Sequence, residues 1–179
     1  MVKLNNYKAK SVIGSKMVKD VIVEYINGKA YAVKVSTGIA EKMGLKEGKE
    51  IPKPILLHLV YTGVAEVYDD KGYKLSFDDL VKVVNDIDTF TVFMVLHDLV
   101  KKGKKVCLGD NPRELLLLSE KARVLVIDED SYITAEDLYN QVEKAIKQET
   151  RLIIAVVDVN GEITYYEVNK MDFPRIERR

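Results

Sequence analysis

A chain of 179 residues has room for one large domain or two small ones, each with its own core. Its composition, 47% hydrophobic and 31% charged, excludes a disordered polymer. The 28 Lys and Arg balance the 28 Asp and Glu, which excludes an overall field that gathers nucleic acid, so any such binding must come from a local patch or a partner.

Met1–Lys10 is polar and no apolar run follows it, so no signal peptide is expected. The longest apolar runs, such as Leu152–Val157, are too short to span a bilayer, so no membrane partner is expected. Cys107 is the single cysteine; it excludes an internal disulfide and a cysteine-based zinc cluster, and it fits a reducing cytoplasm.

Asp20–Ile26 and Lys29–Val35 read as strands joined by Asn27-Gly28, a pair that tolerates positive φ and so marks a tight hairpin. Thr37–Met43 reads as a short helix closed by Gly44. Pro52 and Pro54 suit a helix start, with Ile55–Leu57, Leu59 and Val60 as its apolar face and Gly63 as its end. Val64–Tyr68 and Tyr73–Leu75 read as strands around the turn Asp69–Gly72. Ser76 with Asp79 three residues on predicts a capping box, followed by helical spacing of Phe77, Leu80, Val81 and Val84. The acidic stretch Asn85–Asp88 divides the chain into an α+β unit over 1–86 and a second domain over 87–179.

In the second domain Thr89–Lys102 is an amphipathic helix with Gly103 as its cap. Lys105–Leu108, Glu114–Leu118 and Ala122–Ile127 read as short buried strands. Thr134 with Asp137 starts a helix that reaches about Gln148. Leu152–Asp158 is another buried strand, and Asn160-Gly161 turns it into Glu162–Val168. The order is α-β-β-β-α-β-β around a mixed sheet.

The chemistry-bearing residues are few. His58 and His97 are the two histidines, both within predicted helices, and they read as surface or boundary residues rather than catalytic ones. Cys107, inside a predicted strand, reads as an inert small hydrophobe. A Mg²⁺ nuclease needs an Asp on one strand and a Glu-x-Lys on the next. Asp128 ends a strand without that neighbour, and Glu162, Glu167 and Lys170 are a poor substitute. No phosphate loop, dinucleotide fingerprint or nucleophile elbow is present, so neither cofactor nor metal is expected. Asp128-Glu129-Asp130 is either a solvated turn that places negative charge near the next helix start, or a loop that docks into a basic cleft of another subunit.

Several segments, in order, resemble the archaeal tRNA-splicing endonuclease family. Leu56-Leu57 through Val60-Tyr61, Ala65-Glu66-Val67-Tyr68 and Leu75-Ser76-Phe77-Asp78-Asp79-Leu80 are similar to its N-terminal domain. Phe90-Thr91-Val92-Phe93, Asp98-Leu99 and Lys102-Gly103 resemble the helix that opens its catalytic domain. Leu152–Asp158, Asn160-Gly161 and Ile163-Thr164-Tyr165-Tyr166 resemble its closing strand–turn–strand. The resemblance covers roughly Ile55 to Val168 and implies a restriction-endonuclease-like α/β C-terminal domain.

The family cuts introns at bulge–helix–bulge RNA without metal, leaving a 2′,3′-cyclic phosphate and a 5′-hydroxyl. It uses a Tyr as base, a His as acid and a Lys to stabilise the developing charge, a combination suited to acid–base phosphoryl transfer. This chain lacks all three. No Tyr stands near Leu117–Ser119, no His near Glu120–Arg123, and the Lys position is Thr150. The RNA-gripping Arg position, seven residues earlier, is Glu143. The resemblance therefore implies a non-catalytic structural subunit that joins catalytic subunits in an α₂β₂ heterotetramer and meets precursor tRNA through the assembly. It further implies that Ile163, Tyr165 and Tyr166 help bury the subunit interface, as exposed anchors on an edge strand, and that Asp128, Glu129 and Asp130 dock across the tetramer. Arg175, Arg178 and Arg179 could add a basic tail. The competing readings are a metal-dependent nuclease with an acidic site and a binding module unrelated to RNA.

Overall fold

A computed structural model describes residues 19–170; the basic tail and the polar start fall outside these residues. The chain is a mixed α+β protein with two mixed five-stranded sheets.

In the first unit, β1 (Val21–Ile26) and β2 (Lys29–Val35) form the expected hairpin. Asn27 and Gly28 both take positive φ, 52° and 78°, so the two-residue turn follows the right-handed twist of the strands. Helix α1 (Thr37–Met43) ends at Gly44 in the left-handed region, and β3 (Glu50–Ile51) pairs with β2. The two-residue β3 carries no alternation and was not legible in the sequence. Helix α2 (Lys53–Tyr61) begins at Pro52 and Pro54, and β4 (Ala65–Asp69) lies parallel to β1. Then follow β5 (Lys74–Leu75) and α3 (Phe77–Val84), whose Ser76–Asp79 capping box is formed in both directions. The sheet order is β3-β2-β1-β4-β5.

Helix α4 spans Ile87–Lys101, and the chain divides inside it, between Leu96 and His97. The cause is aromatic packing: Phe93 lies 5.8 Å from Tyr61 and 5.6 Å from Phe77 by ring centroids. The early turns of α4 therefore belong to the first unit, and the 86/87 boundary of the sequence reading marks where the helix begins.

The second unit follows the predicted order. It contains β6 (Val106–Leu108), β7 (Glu114–Leu117), β8 (Ala122–Asp128), α5 (Ala135–Lys147), β9 (Arg151–Val157) and β10 (Ile163–Val168). Its sheet order is β10-β9-β8-β7-β6, with β8 and β9 parallel and the other pairs antiparallel. Val142, Ala145 and Leu152 form a buried cluster against which Leu125 and Val168 pack. Central β8 is largely buried while edge strand β10 is not. Strand β6 is the other edge, so Val106 is buried and Cys107 is exposed, which corrects the expectation that this run is buried on both faces.

Two hairpins share one turn chemistry. Asp69 and Asp158 each accept two backbone N–H bonds on their side chain, from Lys71 and Tyr73 and from Asn160 and Glu162. Gly72 and Gly161, at φ 87° and 82°, each donate to the carbonyl of that Asp. The β9–β10 connection is thus longer than a two-residue Asn-Gly turn, because a side-chain-capped turn with one left-handed residue closes it.

Candidate partner interface of the second unit

The acidic segment is braced from beneath. Asp128 is the last residue of β8, and Arg113 places Nη2 3.2 Å from its Oδ2 while Nη1 donates to Ser131 Oγ at 3.0 Å. Ser131 N–H donates to the Asp128 carbonyl and Glu129 N–H to Val157 O, each at 3.0 Å. Ser131 and Arg113 hold the Asp128 carboxyl below the usual carboxylate range, against a smaller opposing effect of burial. Glu129 and Asp130 point into solvent, and Tyr132 is fully exposed. The first acid of the run is therefore a fastening point and the next two are displayed. The following helix has its own acids, Glu136 and Asp137, and its own cap, Thr134.

Edge strand β10 separates the predicted anchors. Ile163 is half-buried and pairs in register with Val157. Tyr166 is 55% exposed. Tyr165 lies on the opposite face, as the period of two requires, and its hydroxyl donates to Asp98 Oδ2 at 2.6 Å. Lys102 Nζ lies 2.7 Å from the same oxygen and 4.7 Å from the Tyr165 ring centroid. Desolvation, then the bond to Asp98, push the Tyr165 hydroxyl far above its ordinary value. Burial pushes the Asp98 carboxyl up, but Lys102 and Tyr165 outweigh it and hold it low. Tyr165 is thus a strut inside the unit and not an exposed anchor, while Tyr166 stays free to meet another surface.

Two further ties hold β10. Arg151 on β9 grips Glu167 with Nε at 2.8 Å and Nη2 at 2.6 Å. Lys170 lies 3.3 Å from Glu143 on α5 and 5.9 Å from the Tyr139 ring. The loose set Glu162, Glu167 and Lys170 is therefore dispersed into separate pairs. Among the described residues no three His, Cys, Asp or Glu side chains are grouped to hold a metal ion.

The positions where the resemblance expects catalytic groups are occupied by structural ones. Leu117 ends β7, and Leu118–Glu120 form a 3₁₀ turn closed by Lys121 in the left-handed region at φ 47°. Arg123 is buried in β8 and paired with buried Glu114 through Nε and Nη2. Thr150 gives both its N–H and its hydroxyl to the Ala145 carbonyl, closing α5. His58 is buried in α2, not at a boundary, because Ile55–Leu59 is buried as a continuous run. His97 is half-buried in α4.

Sequence reasoning missed Arg113, Asp98 and the Glu114–Arg123 pair as organisers. Tyr165 and Asp98 are 67 positions apart and Arg113 and Ser131 are 18 apart, so no local pattern signals them. Among the described residues no helix is long and apolar enough to cross a membrane. No protein-family model matches this chain, and no curated protein matches it.

Proposed function

We propose that this chain is the non-catalytic, structural subunit of a tRNA-splicing endonuclease of the archaeal type, working in the cytoplasm. It assembles with catalytic subunits, as an α₂β₂ heterotetramer, and positions them on bulge–helix–bulge precursor RNA. The observation that carries this reading is the fate of Thr150. Where a catalytic Lys is expected, the N–H and the hydroxyl of Thr150 are both spent on closing α5. The positions expected to supply Tyr and His lie in a 3₁₀ turn and at a buried ion pair, with no tyrosine or histidine between them.

The displayed acids Glu129 and Asp130 on an Arg113-braced loop suit a basic cleft. Tyr166, with edge strand β10 held from three sides, suits a subunit interface, since a fixed edge loses little freedom on pairing. The chain is then assayed alone and with a catalytic subunit on bulge–helix–bulge RNA, with and without a chelator. Cleavage is expected only in the mixture and unaffected by chelation. Cleavage by the purified chain alone sinks this reading, and loss of that cleavage on chelation installs the metal-dependent nuclease in its place. Failure to associate with any catalytic subunit leaves the binding module.

A further inference from the structure

The second unit carries an excess of cations at one end and of acids at the other, although the whole chain is neutral; Glu120, Glu149 and Glu167 lie at the cationic end and Arg113 at the acidic one. Val106 faces Leu117, Leu117 faces Ala122, and Ala122 faces Arg151, one row across β6, β7, β8 and β9. Lys105 and Lys121 immediately precede the row, and both are exposed, as is Arg151. Lys101 and Lys147, in the last turns of α4 and α5, lie at the same end. At the opposite end, where Asp128 faces Val157, stand Glu129, Asp130, Asp158 and Glu162.

Part of this polarity serves the helices, since cations at Lys101 and Lys147 offset the negative ends of the helix dipoles. That account does not reach Lys105 or Lys121, which stand at strand starts. Among the described residues, neither they nor Lys101 have a salt-bridge partner, whereas Lys102, Lys104 and Arg151 are paired with Asp98, Glu120 and Glu167. Like charges gathered without partners repel one another, which is a cost that a bound polyanion removes.

We infer that this end of the sheet is a phosphate-backbone contact surface for RNA, with Lys101, Lys105 and Lys121 as its point charges and Arg151 at its margin. Neighbouring strands lie about 4.8 Å apart, so the row from β6 to β9 spans about 14 Å. Exposed ammonium groups strung along such a row on flexible stems suit charges repeated along a backbone, whereas one small anion needs a walled pocket. The choice of RNA over other polyanions rests on the function proposed above.

The test is fluorescence anisotropy of a labelled bulge–helix–bulge RNA with the full chain, between 50 and 200 mM salt, with polyglutamate as competitor. Removing one phosphate-neutralising cation lowers the slope of log K against log salt by about 0.7 to 0.9. Lys105→Gln with Lys121→Gln should therefore lower it by about 1.5 and weaken binding about a hundredfold at 50 mM salt. Glu136→Gln, in the first turn of α5 at the far end, should leave the slope unchanged. Circular dichroism confirms that each variant is folded. An unaltered slope in the lysine variant, or no RNA binding by the wild type, overturns the inference; displacement by polyglutamate at equal charge assigns the surface to an acidic protein and overturns it equally. Size-exclusion with the catalytic subunit separates the two readings. A reduced slope without assembly fails the proposed function alone, and assembly with an unaltered slope fails this inference alone.

Discussion

The Tyr165 hydroxyl donates to Asp98 Oδ2 across 2.6 Å, tying edge strand β10 to the last turns of α4 from 67 positions away. The bond joins a donor whose ring is half-buried to a carboxylate already held by Lys102, so it stabilises more than an exposed pair does. Tyr165→Phe should cost about 1 kcal/mol, concentrated in β10, and amide exchange across Ile163–Val168 should quicken more than in β8. Equal protection in both strands in the variant would show that the bond does not hold the edge.

The same pair sets two pH limits. Asp98 is lower in the folded state than in the unfolded chain, so its contribution is present above the ordinary carboxylate value and is lost as acid protonates it. The Tyr165 hydroxyl is raised, so above the ordinary phenol value the unfolded chain ionises this residue while the folded one does not, and stability falls with rising pH. Urea titrations from pH 9 to 11 should show a shallower decline for Tyr165→Phe than for the wild type. Parallel curves would count against the assignment.

The Glu114–Arg123 pair lies inside the second unit, with Lys144 3.9 Å from Glu114 and with Arg123 Nη1 buried and, among the described residues, without a hydrogen-bond partner. Breaking a buried pair costs about 3–5 kcal/mol because a charge is left uncompensated, while removing both charges is often neutral. Arg123→Met should therefore destabilise strongly, and adding Glu114→Met should recover most of the loss in a urea melt. Gly109→Ala should also destabilise, by about 1–3 kcal/mol. Its Cβ would sit 2.5 Å from Glu114 Cγ, and that side chain is fixed by Arg123.

Helices α2, α4 and α5 end on the same pair of backbone bonds, and the left-handed residue is Gly63, Gly103 and Glu149 respectively. Only Glu149 carries a Cβ there, at φ 52°. Glu149→Gly should raise the stability of the second unit by about 1 kcal/mol, read as a higher urea midpoint with unchanged slope.

Arg113 braces Asp128 and Ser131 without being displayed itself. If the chain assembles as proposed above, Arg113→Met should lower affinity for the catalytic subunit several-fold, with a stability change within about 0.5 kcal/mol, since the deleted pair is partly exposed. Calorimetry of association against the melt of the isolated chain separates these effects. A loss of stability as large as the loss of affinity would make Arg113 a folding residue only.

The order of elements was legible because each carries a local signal. Asn27-Gly28 needs only its own φ preferences to turn, Ser76 and Asp79 cap a helix within a reach of three residues, and the apolar runs of β8 and β9 announce burial on both faces. That no tyrosine or histidine stands between Lys104 and Asp130, and that position 150 is a threonine, was also visible in the sequence, because an absence by residue type needs no geometry. What only the tertiary structure decided is which charges meet. That Tyr165 faces Asp98 while Tyr166 faces outward depends on the face β10 turns toward α4. That Asp128 is fastened while Glu129 and Asp130 are displayed depends on Arg113 arriving from another hairpin. Lys105, Lys121 and Arg151 share one end only because strand register brings them there. Side-chain periodicity is local, whereas Coulomb and hydrogen-bond partners are chosen by the fold.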